Sequence, residues 1–142
     1  MDTILSEEEV ETAIREFLRD KNFDVKEREK STGADIEAEK DGRKVVIECK
    51  ENKRKKDEKE TTGGQYDTHL GQTFFQIARR MDQFENAEYY IAFPKAEKII
   101  KRIRDRNLFR KLNKINYIFV DENKELFILK FNDEEILKTN VL

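Results

Sequence analysis

The sequence predicts a mixed α/β domain (α/β or α+β) built on one mixed sheet. Three observations predict it. Apolar residues recur at helical spacing in two amphipathic segments, strand-like runs lie between and after them, and a two-residue turn signal joins two of those runs. At 142 residues the chain has the length of one domain, 1–142, and enough of it for a substantial core.

The elements follow in order. Ser6–Asp20 reads as a helix: Ser6 and Glu9 fit a capping box, and Val10, Ala13, Ile14, Phe17 and Leu18 form its apolar stripe. Asn22 ends that pattern, and Phe23–Glu29 alternates like a half-exposed strand. Ser31–Thr32–Gly33 reads as a loop. Ala34–Lys40 and Lys44–Lys50 read as strands joined at Asp41–Gly42, a strong hairpin signal. Glu51–Gly64 contains no apolar residue and predicts a solvated, mobile loop. Leu70–Phe84 reads as a second helix and Glu88–Phe93 as a strand before Pro94, the only proline. Lys95–Leu112 reads as a strongly basic helix, Asn116–Val120 and Glu125–Phe131 as a closing hairpin, and the remainder as a short tail. The predicted order is α-β-β-β-α-β with a C-terminal α-β-β extension.

Composition excludes several chemistries. One cysteine, Cys49, permits no intramolecular disulfide and no cysteine-based zinc cluster. One histidine, His69, excludes paired-histidine and HExxH-type metal sites. Neither Ser6 nor Ser31 sits in a GxSxG setting. Without a Walker A or GxGxxG pattern, no nucleotide cofactor is expected. No apolar run approaches the ~18 residues of a membrane span, and the acidic N-terminus is unlike a secretory signal, so a cytoplasmic protein is expected. The net charge of −2 gives no bulk attraction to nucleic acid, so only the distribution of charge can provide it.

The hairpin makes a geometric claim. A two-residue loop at Asp41–Gly42 sets Asp35 directly opposite Glu48, with Lys50 on the same face as Glu48. Ile36, Ala38, Val45, Ile47 and Cys49 then form the other, apolar face. A three-residue loop would set Asp35 against Ile47 instead. Cross-strand neighbours stand about 4.5–5.5 Å apart at Cβ. Two carboxylates that close repel unless a cation lies between them. Mg²⁺ suits such a pair, because it takes one or two carboxylates and keeps water for phosphate oxygens. Lys50 would stand one strand repeat away, placed to orient a nucleophile or offset developing charge. The bland alternative is a cross-strand ion pair on a solvated face.

Gly33-Ala34-Asp35, a 12-residue interval and Glu48-Cys49-Lys50 resemble the motif of the PD-(D/E)xK nucleases, with Ala34 where that family usually has proline. The predicted element order also resembles the restriction-endonuclease-like core of that superfamily, over about Glu7 to Phe93. Glu11 followed by Asn22–Phe23 is similar to the pattern in archaeal Holliday-junction resolvases and Mrr-type nucleases, with Asn22 in place of glycine. Gly71–Gln72 through Pro94 resembles the "GQ" helix and the strand that follows it in those proteins.

The resemblance implies a Mg²⁺-dependent nuclease, with Mn²⁺ substituting, acting on DNA. Asp35 and Glu48 would hold the metal with the Cys49 backbone carbonyl, Lys50 would be the catalytic lysine, and Glu11 an auxiliary metal or water ligand, with Glu7 its rival. Gln72 would orient a ligand or the phosphate. Gln72, Gln76, Arg79 and Gln83 fall within about 60° of one another on the second helix, a polar stripe that faces either substrate or solvent.

Two basic runs are candidate nucleic-acid contacts: Lys53, Arg54, Lys55 and Lys56, and the segment Lys95 to Lys114 that includes Lys98 and Arg102. Arg79 joins them. One site per chain implies a homodimer for two-strand cutting, with Phe127 and Ile128 of the last hairpin as its candidate surface. A non-catalytic DNA-binding or assembly module on the same fold is the alternative function, and an interaction protein without a nucleic-acid role is a third.

Overall fold

The computed structural model describes residues 2–28, 33–140 and 142. Among them are four helices and a seven-stranded mixed sheet with the strands in sequential order. Strands β3 (Arg43–Cys49), β4 (Glu88–Pro94) and β5 (Ile115–Val120) run parallel. On one side β1 (Asp24–Val25) and β2 (Ile36–Lys40) add antiparallel pairs, and on the other β6 (Leu126–Leu129) and β7 (Leu137–Lys138) do the same.

Helix α1 (Glu7–Asp20) covers one face of the sheet. Its Ser6–Glu9 capping box forms as the sequence predicts. Its stripe of Val10, Ala13, Ile14 and Leu18 packs on Ile36, Ala38, Val45, Ile47 and Cys49. Burying each isoleucine or leucine here contributes roughly 1.5–3 kcal/mol. Helices α2 (Gly63–Gln83) and α3 (Glu97–Arg104) cover the other face over Ile91, Phe93, Tyr117 and Phe119. The β3–α2–β4 and β4–α3–β5 crossovers step the same way along the sheet, so one handedness places both helices on one side. Helix α4 (Asn107–Asn113) joins them through Phe109, whose ring lies 4.5 Å from that of Phe74.

The β2–β3 register is the one the turn predicts. Ile36 pairs with Ile47 and Lys40 with Arg43. Asp41 and Gly42 both adopt positive φ, 51° and 80°, as a two-residue turn of the I′ kind requires.

Elsewhere the structure corrects the sequence reading. The strand expected over Phe23–Glu29 is only Asp24–Val25, and Glu29, Ser31 and Thr32 lie outside the described residues. Helix α2 begins seven residues before Leu70, because Thr62 and Gln65 form a second capping box and the glycines behind it occupy a helical turn whose N–H groups lack helical partners anyway.

The Glu51–Gly64 segment is tied down by polar groups. Asn52 is fully buried, accepts from the Leu5 N–H at 2.9 Å and donates to the Thr3 carbonyl at 2.7 Å, while the Thr61 N–H reaches the Asn52 carbonyl. The single basic helix over Lys95–Leu112 is two helices broken at Asp105–Arg106. Unbroken, it would place Arg106 on the buried stripe of Ile99 and Ile103. The break turns Arg106 to solvent beside Asp67 and lets Arg110 point inward, onto the Lys130 and Asp133 carbonyls. The tail adds β7. Ile128 belongs to the core, so the last hairpin does not present it to a partner.

Candidate active site

The acidic pair forms where β2 begins and β3 ends. Continuing the observed register places Asp35 opposite Glu48. Strand alternation sends Cys49 into the α1-side core and Glu48 toward α2. Both carboxylates are buried. Asp35 Oδ2 accepts the Cys49 backbone N–H at 2.8 Å, and its Oδ1 stands 3.0 Å from Arg28 Nη2. Glu48 Oε1 accepts from Arg80 Nε at 2.6 Å.

Burial is the main force on Glu48 and raises its pKa to about 7. The Arg80 hydrogen bond opposes that shift, while the charge of Asp35 and a hydrogen bond shared with it add to the rise. Cys49 is fully buried, and its thiol is pushed well up by that burial, so it acts as a small apolar side chain while its main chain serves the site. Lys50 follows β3 directly, anchored by its N–H to the Ala92 carbonyl at 2.9 Å. Lys50 is half-buried as a residue, its amine makes no hydrogen bond or ion pair among the described residues, and its charge opposes the upward shift of the Glu7 carboxyl.

Helix α1 contributes two more carboxylates, one turn apart at the margin of its buried stripe. Glu7 is raised by burial and by the charge of Asp35, against Lys50 and Arg28. Glu11 is raised by burial, against Arg15 and Arg28, which approach to 4.0 and 3.4 Å. Glu11, the residue expected here, and Glu7, its rival, both feel the charge of Asp35. Arg15 also donates to the Asp35 backbone carbonyl at 2.6 Å. Among the described residues, no three His, Cys, Asp or Glu side chains stand in an arrangement that could hold a metal ion. The arginines Arg28 and Arg80 stand on the two acids.

Arg80 is the residue that sequence reasoning passed over. Its signal was present: Tyr66, Leu70, Thr73, Ile77 and Arg80 continue one buried stripe of α2, and a buried arginine requires a partner. Gln72, expected at the site, is exposed, and Arg80 meets Glu48 instead, two turns further along the helix. Arg28 was hidden by its place in a segment read as a strand.

The candidate nucleic-acid residues divide by their partners. Lys53 stands 3.7 Å from Glu58 and 4.0 Å from Glu9, Arg54 pairs with Asp57 at 2.7 Å, and Lys98 lies 4.0 Å from Glu60. Arg102 spans Asp67, at 3.1 Å, and the face of Tyr66. It crosses Gly63 so closely that a Cβ there would meet its guanidinium at 2.6 Å. Arg79 lies exposed over the Phe75 ring. Lys55 and Lys56 are exposed, with no ion pair among the described residues.

No family model matches the chain, and neither a curated protein nor a solved structure matches it. The site's own chemistry therefore carries the functional reading. Two buried carboxylates abut, a lysine follows one of them, and two further carboxylates approach from α1. Such a corner attracts cations and can handle a proton near neutral pH.

Proposed function

We propose that this chain is a divalent-metal-dependent phosphodiesterase acting on nucleic acid, DNA first, on a restriction-endonuclease-like core. The observation that carries this reading is the β2–β3 register, which sets Asp35 opposite Glu48 with Lys50 following. The order α1-β1-β2-β3-α2-β4, with β3 and β4 parallel, supports the core assignment.

The donor chemistry fits a hard divalent ion. Asp35 and Glu48 would offer carboxylate oxygens and Cys49 a carbonyl, and the ion would take the place of the Arg28 guanidinium at Asp35 Oδ1. Mg²⁺, with Mn²⁺ as substitute, would supply a water of lowered pKa and offset phosphate charge. Lys50 orients the attacking water or hydrogen-bonds the charge developing on phosphorus-bound oxygen. Glu7 and Glu11, raised by burial, are placed to accept the proton that the water gives up. Water oxygen bonds to phosphorus, the opposite ester bond breaks, and the leaving oxygen takes a proton. One site cuts one strand, so double-strand or junction cutting requires a homodimer.

The test is cleavage of labelled plasmid, linear duplex, single strand, four-way junction and RNA, with Mg²⁺, Mn²⁺ or EDTA, beside Asp35→Ala and Lys50→Ala. Metal-dependent cutting lost in both variants is the expected result, and the preferred substrate names the activity. Binding without cutting by the wild type would favour the non-catalytic module, a reading to which the Arg80–Glu48 ion pair lends weight. Neither cutting nor binding would overturn the nucleic-acid reading.

A further inference from the structure

Each buried acid has one oxygen held by a donor that the fold fixes. Asp35 Oδ2 is held by the Cys49 N–H, and Glu48 Oε1 by Arg80 Nε. The side chain of Arg80 is only 10% exposed, and its remaining arms are also engaged. Nη2 donates to the Gly33 carbonyl at 3.0 Å, two residues before Asp35, and Nη1 donates to Gln83 Oε1 at 2.8 Å, one turn further along α2. One planar group thus links Glu48, the backbone that leads into Asp35, and the end of α2.

Resting on the metal-site reading above, we propose that Arg80 is the positioning residue of this site: it fixes the rotamer of Glu48 and the spacing between the two acids, so that Glu48 presents its second oxygen to a divalent ion beside Asp35 Oδ1, from which the ion displaces Arg28. A guanidinium suits this task because its donors lie in a fixed plane and reach several acceptors at once. An ammonium carries the same charge without the fork. The two properties act in opposite directions on a metal. The charge repels the ion, whereas the fork organises its ligands. Separating them gives the test a sign.

Mn²⁺ binding is measured on the full chain without nucleic acid, by calorimetry and by the electron-spin signal of free Mn²⁺, on proteins checked for folding by circular dichroism and Tm. Arg80→Lys keeps the charge and loses the fork. It is expected to weaken Mn²⁺ roughly tenfold or more, the usual cost of removing a group that orients a metal ligand. Gln83→Ala leaves the buried pair intact and removes the side-chain oxygen that accepts from Nη1, so it folds readily and shows a smaller loss of the same sign. In cleavage, both raise the Mg²⁺ concentration for half-maximal rate more than they lower the saturated rate. Added guanidinium at a non-denaturing concentration restores Mn²⁺ binding to Arg80→Ala.

Wild-type affinity in Arg80→Lys, with tighter binding in Arg80→Gln, would mean that Arg80 acts through charge alone and would overturn the proposal. If the wild type binds no Mn²⁺, or Asp35→Asn binds it equally well, the metal-site reading falls and this inference with it. Binding lost in Asp35→Asn but unchanged in Arg80→Lys and Gln83→Ala overturns the positioning role and leaves the metal site standing.

Discussion

The acidic corner and the basic surface are both dense in charge, yet the structure treats them differently. At the corner, Asp35 and Glu48 are buried, and each is held by a short, directed donor. On the surface, Lys53, Arg54, Lys98 and Arg102 stand in solvent-facing ion pairs with acids from neighbouring loops and helices. A buried charge requires defined partners, because leaving one unpaired costs several kcal/mol. Exposed pairs contribute about 0–1 kcal/mol and exchange partners easily. The first arrangement specifies a geometry, and the second leaves a surface open to phosphate.

The largest effect expected from breaking this contrast is at the corner. Asp35→Ala or Lys50→Ala should lower metal-dependent cleavage by about three orders of magnitude, about 4 kcal/mol of transition-state stabilisation, in single-turnover assays. Next comes the pH dependence of metal-free stability. The folded pKa of Glu48, about 7, lies above the ordinary carboxyl value of 4.5, so the folded state binds this proton more tightly than the unfolded state. Stability from Glu48 is present below pH 4.5 and is lost as the pH rises towards about 7, by up to roughly 3 kcal/mol. Urea unfolding of wild type against Glu48→Gln, without metal, should show the wild type losing ground over that window. A wild-type curve parallel to that of Glu48→Gln would contradict it.

Asn52→Ala sharpens the contrast away from the acids. It strands the Leu5 N–H and the Thr3 carbonyl in the interior and should cost roughly 2 kcal/mol by chemical denaturation. On the basic surface, Lys55→Ala/Lys56→Ala should leave stability unchanged and reduce the slope of log affinity for DNA against log salt by about 2. The smallest effect belongs to Arg102→Ala, whose pairing with Asp67 is surface-exposed. It should lower stability by about 1 kcal/mol or less and leave that slope unchanged.

Much of the site was legible because it depends on local geometry. Asp41–Gly42 dictates a turn, the turn dictates a register, and the register opposes Asp35 to Glu48. Helix α1 was legible for the same reason: its cap and stripe are local patterns. Features set by tertiary partners were hidden. Arg80 looked like one more charge on a polar helix until β3 supplied Glu48. Gly63–Gly64 looked like loop until Thr62 and Gln65 closed a cap over them. The break at Asp105–Arg106 follows from where Arg106 and Arg110 find partners, Asp67 and the Lys130 and Asp133 carbonyls, which lie far away in sequence.

The most direct test of the central claim is single-turnover hydrolysis of supercoiled plasmid by the wild type and by Asp35→Asn, in Mg²⁺ and in EDTA. Nicking by the wild type in Mg²⁺ alone, and none by Asp35→Asn, is the expected result. Equal nicking by both proteins, or nicking that survives EDTA, would contradict it.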